Sequence, residues 1–255
     1  MLEDKKLYIF DMDGTIYLGE RALSFALSYI QDLRSRGKRI LFFTNNASRS
    51  PEFYLQRLTR MGFAPTREEI LTAGDVTIRF LQTERPGKRV YLLGTELLAG
   101  SFRKAGIELS DEAEIVVTSF DTELTYAKLE RACTLIRGGA EFLCTHPDFN
   151  CPTEDGFIPD SGAIAAAVTA STGVKPRFFG KPYRDAAEMI LAYTGCMASE
   201  ACIFGDRLYT DIALGKNAGI TAVLVLSGET RREDLANASA EQQPDLVIDS
   251  IADLL

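Results

Sequence analysis

Short, almost uninterrupted apolar runs recur along the chain: LYIF at 7–10, RILFF at 39–43, ACIF at 201–204, TAVLVL at 221–226 and LVI at 246–248. Runs of this length without strict polar alternation suit strands buried on both faces, the habit of parallel sheets flanked by helices. Between them, residues 21–36 carry apolar positions at helical spacing and stop before Gly37. Residues 51–61 open with Ser50 and Pro51, a cap followed by a first-turn proline. The pattern predicts an α/β fold built on a parallel sheet covered on both sides.

From about 85 to 178 the texture changes. This stretch has its own strand-like runs (RVYLLG, EIVVTSF, EFLCT and a short GFIP) and helical patterns around 122–137 and 161–172. It reads as a smaller α/β domain inserted into a core made of 1–84 and 179–255. The charged, turn-rich ERPGKR at 84–89 marks the departure and VKPRFFGKP at 174–182 the return. A chain of 255 residues accommodates either one large domain or this core with a smaller partner.

Composition narrows the classes. With 46% apolar and 25% charged residues the chain has globular proportions. A net charge of -8 gives no reason to expect nucleic acid or an anionic membrane surface as partner, so an anionic substrate needs positive charge supplied locally. No apolar run approaches the roughly 18 residues of a membrane span, and the amino terminus turns acidic before a secretory core forms, which predicts a cytoplasmic protein. The five cysteines are scattered without a C-x-x-C pair, as expected of reduced thiols. Cys144, His146 and Cys151 lie close in sequence, but a fourth ligand is missing and ordinary packing is the better expectation.

The chemistry gathers at strand ends. LYIFDMDGT places Asp11 at the carboxyl end of a strand and Asp13 two residues on, with Gly14 turning the chain away; in open α/β sheets ligands collect at that end. An EF-hand loop is excluded, because Gly14 falls at loop position 4 rather than 6. Thr44, Asn45 and Asn46 follow RILFF and offer a hydroxyl, amides and backbone N–H groups to phosphate oxygens. Asp206 and Arg207 follow ACIFG, Asp211 stands five residues beyond Asp206 at an expected helix start, and Lys181 follows Gly180. Each has a plain structural explanation as a turn, a cap or a surface charge. Together they make a site.

Charge explains why these residue types belong together. A carboxylate about 4 Å from a phosphate dianion meets repulsion of about 8 kcal/mol at an effective dielectric of 20. A hard cation on oxygen ligands cancels it, and Mg²⁺ is the usual choice, with Asp11, Asp13 and Asp206 able to hold it. Asp11 would attack phosphorus, and Asp13 would protonate the leaving alcohol and then activate water. Lys181 and Thr44 would stabilise the transferring group.

The four motifs, LYIFDMDGT, Thr44 after its strand, Lys181 and GDRLYTD at 205–211, resemble those of the haloacid dehalogenase superfamily in order and separation. The large insert is similar to that of the subfamily IIA branch, NagD-like and p-nitrophenylphosphatase-like. This resemblance implies a Rossmann-like doubly wound core with Asp11 as nucleophile and Asp13 as acid/base. It implies Mg²⁺ on Asp11, the Asp13 carbonyl and Asp206, with Asp211 supporting, and an insert that caps the site. The implied substrate is a small phosphorylated metabolite; a homodimer through the cap follows by analogy only.

Within the insert, TSFDTELTYAKL and CTHPDFNCPTEDGFIPDSGAI resemble segments that approach substrate in this branch, which makes His146 and Asp148 specificity candidates. Many relatives have asparagine where His146 stands, so a loop residue hydrogen-bonded to its neighbours is the competing expectation. Ser161 and Gly162 are expected to cap the following small-residue helix. A phosphotransferase or phosphomutase would use the same core with another acceptor, and a phosphate-sensing module would show an eroded motif, which this chain does not. A receiver-type signalling domain leaves Asp13, the late GDR segment and the insert unaccounted for.

Overall fold

The computed structural model describes residues 2–153 and 156–255, so Glu154 and Asp155 of the segment quoted above lie outside the described residues. The chain divides into two compact units. Met1–Thr44, Pro51–Leu71 and Lys181–Leu255 form the first, and Asn45–Ser50 with Thr72–Gly180 form the second.

In the first unit six strands lie in the order Leu246–Ile248, Thr221–Val225, Ala201–Gly205, Leu7–Phe10, Arg39–Thr44 and Ile70–Thr72. Leu7 pairs in parallel with Ala201 on one side and Arg39 on the other, and Cys202 pairs in parallel with Thr221. From the central strand the chain builds first toward one edge and later toward the other. That reversal opens a crevice at the carboxyl ends of Leu7–Phe10 and Ala201–Gly205, the point where doubly wound sheets bind ligands. All four residues of Leu7–Phe10 and all five of Ala201–Gly205 are buried, as the apolar runs require. Phe10 and Phe204 stack at 4.8 Å between ring centroids, with Tyr29 of helix Ser24–Ser35 edge-on to both. This aromatic layer makes the two central strands a stiff support for the loops that follow them.

The second unit has a four-stranded parallel sheet in the order Arg177–Phe178, Glu141–Cys144, Ile115–Thr118, Val90–Leu93, and an antiparallel hairpin of Asn150–Thr153 with Gly156–Pro159. Helices Tyr126–Arg137 and Ser161–Thr172 bury Ile136, Ile164 and Val168 against Val116 and Phe142 of this sheet.

Three local expectations change. The continuous part of the second unit runs Thr72–Gly180, where the sequence reading places an insert at about 85–178. Helix Ala73–Glu84, capped by Thr72 through Asp75, sets Gly74 against Leu98 and Ala47, and Phe80 lies 4.8 Å from Phe179. The charged turn at 84–89 therefore follows the first helix of the second unit. The predicted helix at 21–36 starts only at Ser24, because Tyr17–Leu18 and Arg21–Ala22 pair as a short antiparallel ribbon. Helix Ser161–Thr172 is capped by Asp160, which accepts from the Ser161 N–H, so Ser161 and Gly162 occupy its first turn. Among the described residues no helix is long and apolar enough to cross a membrane.

Candidate active site

Asp11 leaves the central strand with its N–H on the Phe204 carbonyl (2.8 Å), which locks the start of its loop to the neighbouring strand. The chain then folds tightly: Ile16 N–H reaches Met12 O (2.9 Å) and Gly14 N–H reaches Tyr17 O (2.8 Å). Gly14 has φ +84°, and a Cβ there would lie 2.4 Å from Asp206 Oδ2. Glycine is thus required twice over, by backbone conformation and by close approach to a carboxylate.

Across the crevice, strand Ala201–Gly205 ends in Asp206, which is 3% exposed. Gly205 makes room for Asp211: a Cβ at 205 would sit 2.1 Å from Asp211 Cβ. Asp211 lies in the wide turn Leu208–Ile212, not at the start of helix Ala213–Ala218, and its Oδ2 accepts from Arg207 N–H (3.3 Å) and Thr210 Oγ1 (3.1 Å). Gly205→Ala is expected to cost about 3 kcal/mol through that overlap, read as a lowered denaturant midpoint.

Lys181 is 2% exposed rather than a surface charge. Its ammonium hydrogen-bonds Asp11, lies 2.7 Å from Asp211 Oδ1 and donates to the Phe43 carbonyl at 3.2 Å. Burial alone would lower its pKa, yet Asp11 and Asp211 outweigh burial and hold it above the ordinary lysine value. Lys181 is a fixed cation.

Asp11, Asp206 and Asp211 each bring a carboxylate oxygen within 4.8 Å of the others. The Asp13 carboxylate is outside that group; the expectation for Asp13 concerned its carbonyl oxygen. Burial raises the Asp11 pKa, with Asp211 adding to it against Lys181, and burial followed by Asp11 and Asp211 raises that of Asp206. Asp206 Oδ1 is buried without a hydrogen-bond partner among the described residues. An orphaned oxygen among crowded acids fits a hard divalent cation, since only a positive charge stabilises all three when ionised. Asp13 is raised as well, first by burial, against Arg57, the Gly19 N–H and Arg207.

Thr44 closes strand Arg39–Thr44, as the sequence implies. The two asparagines that follow make contacts of their own. Asn45 directs its amide N–H groups to Asp148 at 3.2 and 3.4 Å, and Asn46 Oδ1 accepts from Ser48 N–H (3.0 Å) and Ser48 Oγ (2.7 Å), shaping the loop. His146 is fully buried, with Nδ1 2.9 Å from Thr145 Oγ1 and Nε2 2.8 Å from Asp160 Oδ1. It braces the 145–149 loop against the helix that follows. Gly162 completes that brace: its N–H donates to Asp148 O (2.8 Å), and a Cβ would meet Pro147 O at 2.1 Å.

Residues 227–230 went unread in the sequence. Ser227 Oγ donates to Gly14 O (2.8 Å), and Glu229 N–H donates to Asp206 Oδ2 (2.7 Å). A Cβ at Gly228 would lie 2.1 Å from that same oxygen. Their position just beyond strand Thr221–Val225, at the binding end of the sheet, was the available signal.

A haloacid dehalogenase-like hydrolase model matches residues 8–108, and a second model of the same kind, HAD-hydrolase-like, matches 178–254. The 5'-nucleotidase YutF of Bacillus subtilis (strain 168) is 34% identical over 249 residues, covering 97% of this chain and 96% of that protein. A 4-nitrophenylphosphatase of Thermotoga maritima superposes with a TM-score of 0.95 at 40% identity, covering 99% and 97%. A glycerol phosphate phosphatase of Mycobacterium tuberculosis in complex with magnesium gives 0.92 at 30% identity, covering 99% of this chain and 77% of that one.

Proposed function

Because the chain belongs to the haloacid dehalogenase-like hydrolases, we propose that it is a magnesium-dependent phosphatase that hydrolyses a small phosphomonoester through an aspartyl-phosphate on Asp11. The observation that carries this reading is the cluster of Asp11, Asp206 and Asp211, with Lys181 paired to Asp11 and Asp211 and one buried oxygen of Asp206 lacking a hydrogen-bond partner among the described residues. The relatives named above act on different phosphate esters, which supports the class of substrate and leaves the leaving group open. Turnover of p-nitrophenyl phosphate should require Mg²⁺ and stop in EDTA; metal-independent hydrolysis would contradict the reading.

Asp11 attacks phosphorus, forming the Asp11 oxygen–phosphorus bond as the ester oxygen–phosphorus bond breaks, and the leaving alkoxide takes the proton of Asp13. The raised pKa of Asp13 supports a proton there at the start. Asp13, now a carboxylate, takes a proton from water as that water attacks phosphorus and frees Asp11 and inorganic phosphate. Lys181 and Thr44 hold the oxygens of the transferring group. Asp11, the Asp13 carbonyl and Asp206 would hold Mg²⁺, which offsets the negative charge of both reactants, and Asp211 keeps Lys181 in place. Asp13→Asn is expected to slow steady-state turnover about a hundredfold while retaining magnesium binding; an unchanged rate would remove Asp13 as acid/base.

The raised acids give magnesium binding a pH dependence of known sign. Asp11 and Asp206 ionise later in the fold than the ordinary value of about 3.9, so metal-free protein loses stability as pH rises above it. A cation restores it. The rise in melting temperature produced by Mg²⁺ should therefore be larger at about pH 8 than at about pH 5.5; an equal or smaller rise at the higher pH would contradict the crowding.

In the same reading Asp148 contributes to leaving-group selection and His146 supports its loop. Asn45 and Asn46 order the backbone beside Thr44 for phosphate. The net charge of -8 supports a small-molecule partner over nucleic acid, and the five free thiols suit the cytoplasm. Association as a homodimer through the second unit belongs to this proposal by family analogy alone.

A further inference from the structure

Arg207 poses a physical problem that the mechanism leaves unanswered. It follows Asp206 directly, and its charge acts on Asp11, Asp13 and Asp206 alike. A guanidinium in that position would fork onto a neighbouring carboxylate, which is the oxygen set the cation needs. Yet Asp206 Oδ1 is buried with no hydrogen-bond partner among the described residues. Arg207 Nε instead lies 2.9 Å from Glu229 Oε2, while the other Glu229 oxygen accepts from the Tyr209 hydroxyl at 2.8 Å. The main chain of Glu229 donates to Asp206 Oδ2 at 2.7 Å, and Thr230 N–H donates to the Asp206 carbonyl at 3.1 Å. Gly228 lets this loop come so near, since any side chain there would overlap Asp206.

We propose that Glu229 is a positioning residue of the magnesium site: its N–H seats one oxygen of Asp206, and its carboxylate holds Arg207 away from the other, keeping that oxygen for the cation. This rests on the reading of Asp206 as a magnesium ligand. One residue thus acts in two ways, and the two separate by substitution. Glu229→Gln keeps the N–H and removes the charge that restrains Arg207. Arg207→Met removes the competitor itself.

The test is the magnesium dissociation constant of the metal-free full chain by titration calorimetry, which needs no turnover. Glu229→Gln should weaken binding about fivefold, the scale of a half-exposed ion pair. Arg207→Met should bind no more weakly than wild type, and Glu229→Gln with Arg207→Met should return to the value of Arg207→Met. A merely structural role for Glu229 would leave the double variant as weak as Glu229→Gln, and that result, or an unchanged constant in Glu229→Gln, overturns the proposal. Should Glu229→Gln fail to fold, Tyr209→Phe loosens the same clamp through an exposed side chain; weaker magnesium binding supports the proposal and unchanged binding overturns it. A wild-type chain that binds no magnesium would instead sink the reading of the site on which this rests.

Discussion

Asp11→Asn is expected to reduce turnover of p-nitrophenyl phosphate by about 10⁴-fold or more, equivalent to about 5 kcal/mol of activation free energy. Asparagine keeps the shape of the side chain and has no oxygen able to form the phosphoryl bond. The fold should survive the change. Burial already favours an uncharged group at this position, and Lys181 retains Asp211 as partner. Thermal melting of metal-free Asp11→Asn should therefore stay close to wild type while activity disappears. A variant that keeps even a tenth of the wild-type rate would exclude Asp11 as nucleophile.

Lys181→Met should damage both stability and rate. The ammonium neutralises Asp11 and Asp211 in a place that water barely reaches, and removing one member of such a buried group costs about 3–5 kcal/mol. That corresponds to a fall in melting temperature on the order of 10 °C for a chain of this size. Turnover should fall by about 10³-fold, because a donor aimed at the transferring phosphoryl group is lost as well. The stability loss should shrink as pH is lowered, since burial raises the Asp11 pKa and protonated Asp11 needs no counter-ion. Melting curves at about pH 5.5 and about pH 8 check the sign; a larger loss at the lower pH would contradict the role of Lys181 as counter-ion.

The proposed site is legible in the sequence because each of its members follows an apolar run or a glycine, and the end of a parallel strand is where ligands bind. That rule points to Asp11, Thr44 and Asp206. Lys181 was found only as a letter beside Gly180; nothing in its neighbours announced that it would be buried between two acids. Gly14 reads as a turn and Gly205 as the end of a strand, and the sequence does not show that they also let Asp206 and Asp211 approach.

Features made by contacts distant in sequence were not legible. The sequence offers Asn45 to phosphate but does not show that its amide reaches Asp148, over a hundred residues away. His146 reads either as a specificity residue or as a loop residue hydrogen-bonded to its neighbours; its ring meets Thr145, next in the chain, and Asp160, which the sequence does not place beside it. The sequence groups residues up to 84 with the core because the turn-rich charged segment comes after them, and it does not show that helix Ala73–Glu84 packs on Leu98 and Phe179. Residues 227–230 carry no catalytic letter pattern, and their meaning lies in backbone N–H groups and in a missing Cβ.

The most direct test of the central claim is chemical capture of the intermediate. Asp13→Asn would be mixed with p-nitrophenyl phosphate and Mg²⁺, quenched in acid and reduced with borohydride, and the peptide spanning residues 7–20 analysed by mass spectrometry. The leaving group needs little protonation, so the first step should proceed and the hydrolytic step should stall. Conversion of Asp11 to homoserine, dependent on substrate and on Mg²⁺, is the predicted result. Turnover by the wild type, with Asp11 unmodified under every such condition or with the label on another residue, would contradict an aspartyl-phosphate mechanism at this site.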